Sequence, residues 1–176
     1  IIITLDNGEK KEYVKGIKLK EVINNVKNKL TDTTVGALYN NKMIDLEDTL
    51  TKSGKLSLYD VNTKDGNKIY EKGLLYLFEV SAVEVLGKDT TIIVKHSIDK
   101  GVYCKVSKPL DEETLTKIKK QMKEKVKENI PFKKIETTKA EAIAYFNSIK
   151  REDKVRTLEY MKTNFVTLYK LGDTYN

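Results

Sequence analysis

The segment IIITLDNGEKKEYV, residues 1–14, predicts a β-hairpin at the start of the chain. Residues 1–5 are an apolar, β-branched run, and residues 11–14 alternate polar and apolar side chains as a returning strand does. Between them, residues 6–9 include the Asp, Asn and Gly that favour a tight turn. The chain is therefore expected to open with two antiparallel strands.

A helix is predicted next, because apolar residues recur every three or four positions and form one stripe that can pack on the hairpin. Residues 35–39 and 42–44 then predict two short strands around a polar turn, and residues 55–60 predict a closing strand. Two strands, a helix and further strands are the order of a β-grasp domain. The apolar stripe consists of Leu19, Val22, Ile23, Val26 and Leu30.

Three strings carry a resemblance: TLDNG at residues 4–8, ALYNNK at residues 37–42 and DLED at residues 45–48. They are similar to the TGS domain, the ubiquitin-like module at the front of threonyl-tRNA synthetases. The resemblance implies a ubiquitin-like β-grasp (TGS) domain over residues 1–62. The same module precedes GTPases and stringent-response enzymes, and an unrelated β-grasp domain is the alternative, because fold alone does not assign function.

Beyond a polar linker predicted at residues 62–67, residues 69–86 are apolar on almost every face and predict a buried core helix. Near its start lies KGLLY, residues 72–76, where a threonyl-tRNA synthetase carries His-x-x-x-His. Two histidines one turn apart can hold a metal or act on an ester. Here Lys72 and Tyr76 occupy those positions, and the chain has a single histidine, His96. We therefore predict that Lys72 and Tyr76 mark a lost editing site.

A second hairpin is predicted from residues 91–96 and 102–106, with His96 facing Cys104 and Val94 facing Val106. A cysteine beside a histidine is the raw material of a thiolate nucleophile. No third group is apparent to orient the histidine, so we favour a packing role and predict no catalytic residue. One Cys and one His also fall short of a zinc site, so no metal or cofactor is predicted for these 176 residues.

The string HSIDKGVYC, residues 96–104, is similar to a segment of bacterial nucleoside kinases, usually called uridine kinases. These kinases place a TGS domain and a synthetase-like second domain ahead of a P-loop kinase domain. The resemblance implies that residues 67–176 form an α+β domain like the second additional domain of threonyl- and alanyl-tRNA synthetases, truncated at its C-terminal end. The likeness continues through residues 110–126, 130–132, 141–143 and 168–173.

On this resemblance, the chain is expected to be the non-catalytic regulatory region of a uridine kinase. Its partner would be a P-loop kinase domain in cis beyond Asn176, and that domain would bind ATP and Mg. Two alternatives stay open: the N-terminal RNA-binding and editing region of a threonyl-tRNA synthetase, and a TGS-type regulatory module that binds a ligand. A synthetase would need histidines at Lys72 and Tyr76 and a downstream Cys/His pair.

Positive charge is concentrated in the second half of the chain. Residues 95–170 hold 19 Lys and Arg against 11 Asp and Glu, whereas residues 1–61 hold 10 against 9. This excess predicts either a surface for the phosphates of a nucleotide or an RNA, or a solvated helix face, and we favour the solvated face. The candidate basic residues are Lys117, Lys119, Lys120, Lys123, Lys127, Lys133 and Lys134.

The remaining elements are predicted from helix signals. Acidic residues 111–113 suit the positive end of a helix dipole, and Thr138 with Glu141 has capping-box spacing. Residues 151–154 begin a short helix, and residues 164–169 form a last strand. The buried stripe of the helix after residue 113 is expected to be Leu115, Ile118, Met122 and Val126.

Composition is that of an ordinary folded protein, with 39% hydrophobic and 34% charged residues in 176. Membrane spans need roughly 20 consecutive apolar residues, and this chain has no such run, so no membrane partner and a cytoplasmic location are expected. The chain begins on an apolar strand without a methionine, which suggests a trimmed sequence.

Overall fold

The computed structural model describes the backbone of residues 1–26, 33–98 and 101–176. Helices and antiparallel or mixed sheets alternate along the chain, so the α+β class expected from the sequence is confirmed. Contacts divide the chain into two compact units, Ile1–Leu74 and Leu75–Asn176. No helix of the described ranges is long and apolar enough to cross a membrane.

The first unit contains a five-stranded sheet in the order β2-β1-β7-β4-β5, in which β1 and β7 run parallel and the other neighbours antiparallel. A separate pair of two-residue strands, β3 and β6, was not predicted from the sequence. The elements are β1 Ile2–Leu5, β2 Lys10–Glu12, β3 Ile17–Lys18, α1 Leu19–Asn25, β4 Thr34–Tyr39, β5 Lys42–Ile44, β6 Thr49–Leu50 and β7 Gly54–Asp60.

The core of this unit lies between α1 and the sheet. Leu19 and Val22 of α1 are fully buried together with Ile3 of β1 and Leu56 of β7. The opening hairpin is confirmed, and so is the apolar stripe of α1 up to Val26. The last residue predicted for that stripe, at position 30, lies outside the described residues.

The long helix α2, Lys64–Leu86, begins inside the segment that we predicted as a linker. The amide of Gly66 donates to the Thr63 hydroxyl at 3.1 Å, which satisfies one free N–H of the first turn. A Cβ at Gly66 would lie 1.9 Å from the Asp60 carbonyl oxygen, so only glycine fits this close approach. The predicted burial of the helix on most of its sides is wrong in its first half, because Tyr70 and Leu74 are exposed.

The second unit combines the rest of α2 with a two-stranded sheet, β8 and β9, and an antiparallel sheet in the order β10-β11-β12. Strand β12 was not predicted from the sequence. The elements are β8 Ile92–Ile98, β9 Gly101–Val106, α3 Glu112–Lys127, β10 Lys133–Thr138, α4 Lys139–Ser148, α5 Glu152–Tyr160, β11 Phe165–Leu171 and β12 Thr174–Tyr175.

Helix boundaries in this unit follow the predicted signals. Asp111 accepts a hydrogen bond from the Thr114 amide at 2.7 Å and caps α3. The capping box of α4 is present, since the Glu141 amide donates to the Thr138 hydroxyl and the Thr138 amide donates to the Glu141 carboxylate. Gly87, at a φ of +104°, ends α2 before strand β8.

Two side-chain predictions for this unit are wrong. In the α3 stripe Ile118 is fully buried and Met122 packs against the same cluster, while Leu115 and Val126 are exposed. In the second hairpin Val94 pairs with Cys104, and His96 pairs with Tyr103. The register already differs from the prediction by one residue at the turn, where Ile98 pairs with Gly101, and a β-bulge between Val94 and His96 shifts it by one more.

Candidate functional site

Tyr76, which we predicted to stand at the second lost histidine position, is buried in the second unit. Its side chain is 6% exposed, and its hydroxyl lies 2.9 Å from the Tyr169 carbonyl oxygen and 2.6 Å from that of Thr174. Burial raises the pKa of the phenol well above its ordinary value, so the hydroxyl stays protonated and acts as a hydrogen-bond donor. Tyr76 therefore links α2 to β11 and β12.

The residue at the first position, Lys72, is exposed and has a different environment. It lines a shallow groove of about 310 Å³ in the first unit. The positions lie one helical turn apart in sequence, yet one side chain is buried structure and the other is at the surface. The groove is lined by Met43, Tyr59, Asp65, Lys68, Ile69 and Lys72.

One turn along α2 from Tyr76, Glu79 begins a cluster of charged groups that we call the Glu79 cluster, made of Glu79, Arg151, Asp153 and Lys154. The Arg151 guanidinium pairs with Glu79 and binds both carboxylate oxygens of Asp153, at 2.8 and 2.9 Å. The Arg151 and Glu79 side chains are only 11% and 15% exposed. This bidentate arrangement fixes the start of α5 against α2.

Electrostatics within the Glu79 cluster follow from burial and pairing. The hydrogen bond from Arg151 holds the pKa of Asp153 below its ordinary value. Burial lowers the pKa of the Lys154 ammonium, and attraction to Glu79 and Asp153 opposes this effect only in part. The cluster therefore holds two carboxylates paired to one guanidinium, beside an amine that gives up its proton more readily than a free lysine.

Sequence reasoning missed the Glu79 cluster, although the sequence contains a signal for it. Glu79 is the only charged residue between Lys72 and Glu84, in a helix segment that is otherwise almost entirely apolar. A buried carboxylate needs a partner. The run at residues 151–154, which we interpreted only as a helix start, supplies that partner.

The predicted neighbours Cys104 and His96 are not brought together. Cys104 lies on the inner face of the hairpin beside the core residues Ile92 and Ile118, whereas the His96 ring stacks on Tyr103. Burial, with a smaller contribution from the Glu79 charge, raises the pKa of the Cys104 thiol. A protonated thiol without a base is a poor nucleophile.

Within residues 1–26, 33–98 and 101–176, no three His, Cys, Asp or Glu side chains are grouped so as to hold a metal ion. The expectation that these residues bind no metal or other cofactor stays a prediction. The expectation that a kinase domain would bind ATP and Mg also stays a prediction.

The predicted basic residues fall into two groups. On α3, Lys117 pairs with Glu113 at 2.7 Å and Lys120 with Glu124 at 3.9 Å. Three further predicted lysines of α3 are exposed and have no ion pair within the described part of the chain, and the last two predicted lysines lie on β10. These residues are Lys119, Lys123 and Lys127 on α3, and Lys133 and Lys134 on β10.

No protein-family model matches the sequence. Curated relatives do match, and those compared are threonine–tRNA ligases. The ligase of Caldanaerobacter subterraneus subsp. tengcongensis is 27% identical over 98% of this chain, and that of Desulforamulus reducens is 28% identical over 98%. The chain resembles threonine–tRNA ligases along nearly its whole length. It spans 27–28% of the length of these relatives.

The ligase of Syntrophotalea carbinolica gives the same result, with 27% identity over 98% of this chain and 28% of that protein. These findings support the alternative that we drew from the sequence, a region similar to part of a threonyl-tRNA synthetase, better than the uridine kinase interpretation. The kinase parent and its domain in cis gain no support from them.

Proposed function

We propose that this chain is a tRNA-contacting region of a threonine–tRNA ligase-like protein, and that it lacks an ester-hydrolysing histidine pair. The single observation that carries the proposal is the match to threonine–tRNA ligases across 98% of the chain. An alignment that covers both units favours a shared arrangement of elements over one shared motif. On this proposal the joining of threonine to tRNA is the work of parts that these residues do not include.

For the first unit we propose the ubiquitin-like β-grasp (TGS) arrangement, over residues 1–62 as predicted. Its support is the sheet order, in which the first and last strands, β1 and β7, pair in parallel at the centre. Helix α1 follows the opening hairpin and buries Leu19 and Val22.

For the second unit, over residues 67–176, we propose the synthetase-like second domain without hydrolytic chemistry on α2. A histidine that acts on an ester needs an accessible ring nitrogen with a free lone pair. Tyr76 instead buries its ring against Phe132, with 5.7 Å between ring centroids. Its hydroxyl donates hydrogen bonds to main-chain carbonyls. The position therefore contributes packing.

The test is a pair of assays on the purified chain. We expect unfractionated tRNA to bind with an affinity that falls steeply between about 50 and 200 mM salt, because bound phosphates release counterions. A DNA duplex of equal phosphate content should bind more weakly. We also expect no release of the amino acid from an aminoacyl-tRNA above the rate in buffer. Absence of tRNA binding, or ester hydrolysis by the chain, would contradict the proposal.

A matched variant sharpens the second assay. Replacing both Lys72 and Tyr76 by histidine restores the missing residue types, but Tyr76→His also removes a buried aromatic ring and its hydrogen bonds. We expect this double variant to be less stable and still inactive on the ester, since its second histidine would be buried. Hydrolysis by the double variant alone would mean that the two positions retain a working site.

A further inference from the structure

The two-stranded sheet β8–β9 has one buried face and one exposed face. On the inner face, Ile92, Cys104 and Val106 pack in the same cluster as Ile118 of α3. On the outer face, Tyr103 is 55% exposed and Ile93 is 36% exposed. Large apolar and aromatic side chains that point together into solvent mark an interaction surface more often than isolated ones do.

The exposed face carries a stacked aromatic pair. The rings of His96 and Tyr103 lie with centroids 5.3 Å apart and planes inclined by only 25°. They face each other because the register next to the turn pairs Ser97 with Val102 and His96 with Tyr103. A β-bulge follows between His96 and Val94, where the register shifts by one residue.

The charge of this face is positive. Lys95 and Lys105 are exposed beside the stack, and the described residues of β8 and β9 include no carboxylate. Asp99, an acidic residue between the two strands in sequence, lies outside the described residues. Aromatic rings between lysines suit a single-stranded nucleic acid, because its unpaired bases can stack on the rings and its phosphates are attracted to the ammonium groups.

We propose that this outer face, formed by Lys95, His96, Tyr103 and Lys105, binds single-stranded RNA by stacking a base on the aromatic pair. The proposal rests on the proposed function in one respect, that tRNA supplies the RNA and its unpaired nucleotides reach the face. The lysines contact flanking phosphates and the rings hold the base. A duplex keeps its bases stacked inside, so it gains only the phosphate contacts.

The experiment measures fluorescence anisotropy of a labelled ten-nucleotide oligoadenylate with the full chain at low salt. Tyr103→Ala should weaken binding about tenfold, whereas Tyr103→Phe, which keeps the ring, should stay within about twofold. The matched control is Tyr160→Ala on α5, since Tyr160 is 88% exposed and lies on another surface. It should leave the affinity unchanged.

A second measurement isolates the phosphate contacts. Removing one lysine contact to a single strand should lower the slope of log affinity against log salt by about 0.7. Lys105→Gln should show this change, while Lys119→Gln on α3 should not. Circular dichroism of each variant will verify the fold, and because all these side chains are exposed, we expect no loss of structure.

Three results would overturn the proposal: no oligoadenylate binding by the unmodified chain, equal binding by Tyr103→Ala, or equal affinity for a duplex of the same charge. Its failure is separable from failure of the proposed function. If tRNA binds but Tyr103→Ala changes neither tRNA nor oligoadenylate affinity, only the hairpin surface is wrong. If oligoadenylate binding depends on Tyr103 but tRNA does not bind, the proposed function fails and the surface stands.

Discussion

Tyr76 and Tyr103 show how one residue type serves two purposes in this chain. Tyr76 is 6% exposed, and its hydroxyl donates hydrogen bonds to carbonyls of β11 and β12. Tyr103 is 55% exposed and stacks on His96. A buried phenol with its hydrogen bonds made has nothing left for a ligand, and an exposed ring has a whole face available. Function on this chain should therefore be sought at the hairpin surface.

The largest expected effect separates these tyrosines by stability. Tyr76→Ala should lower the free energy of unfolding by about 3–5 kcal/mol, because it leaves a cavity and removes the hydroxyl that the Tyr169 and Thr174 carbonyls share. Tyr103→Ala should lower it by less than about 1 kcal/mol. Urea denaturation followed by circular dichroism measures both. Similar losses for the two variants would break the comparison.

The next effect compares a buried arginine with an exposed one. Arg151→Ala leaves the Glu79 carboxylate buried without its partner and should cost about 2–3 kcal/mol, reduced from the value for a fully buried pair by partial exposure. Arg156 pairs with Glu152 at 3.4 Å, but both side chains are more than 70% exposed. Arg156→Ala should therefore change stability by less than about 0.5 kcal/mol. Equal effects in urea denaturation would show that the Glu79 cluster is not a structural anchor.

A smaller effect compares the inner and outer faces of the hairpin. Cys104→Ser on the inner face should cost about 1 kcal/mol and leave RNA binding unchanged, because a hydroxyl replaces a packed thiol without touching the outer face. The raised pKa of the thiol predicts slow alkylation by iodoacetamide at neutral pH. Rapid alkylation of the folded protein, or lost RNA binding in Cys104→Ser, would place the thiol at a working surface.

The smallest effect concerns Lys154. Burial lowers the pKa of its ammonium below 10.5, so the folded state releases this proton before the unfolded state does, and stability rises with pH through that window. Lys154→Met removes the cost of burying the charge and should raise stability at pH 7 by about 1 kcal/mol or less. The gain should shrink as the pH approaches 10.5. The exposed Lys123→Met should show neither change, and a loss of stability in Lys154→Met would mean that its charge is needed.

Much of the fold was predictable from local patterns. The opening hairpin, the stripe of α1 and the Thr138–Glu141 capping box depend on residues near in sequence, so alternation, periodicity and capping chemistry identify them. The short strands β3 and β6 were missed because two residues contain no periodic signal, and their pairing joins segments far apart in sequence.

The candidate sites were harder to predict, for physical reasons. The absence of histidines at Lys72 and Tyr76 is plain in the sequence, but the burial of Tyr76 depends on β11 and β12, more than ninety residues later. The His96–Tyr103 stack depends on the register at the turn, where Ile98 pairs with Gly101, whereas we had predicted Ile98 opposite Val102 and hence His96 opposite Cys104. Register irregularities and long-range partners arise from tertiary packing, which a single sequence does not display.

The most direct test of tRNA binding at the outer face of β8–β9 is the affinity of the unmodified chain and of Tyr103→Ala for tRNA at two salt concentrations. We expect the unmodified chain to bind tRNA with an affinity that falls as salt rises, and Tyr103→Ala to bind about tenfold more weakly with its fold intact. Replacing Lys119, Lys120 and Lys123 together should matter less, since we assign them to a solvated face. If the unmodified chain does not bind tRNA at low salt, the proposal that it is a tRNA-contacting region is wrong.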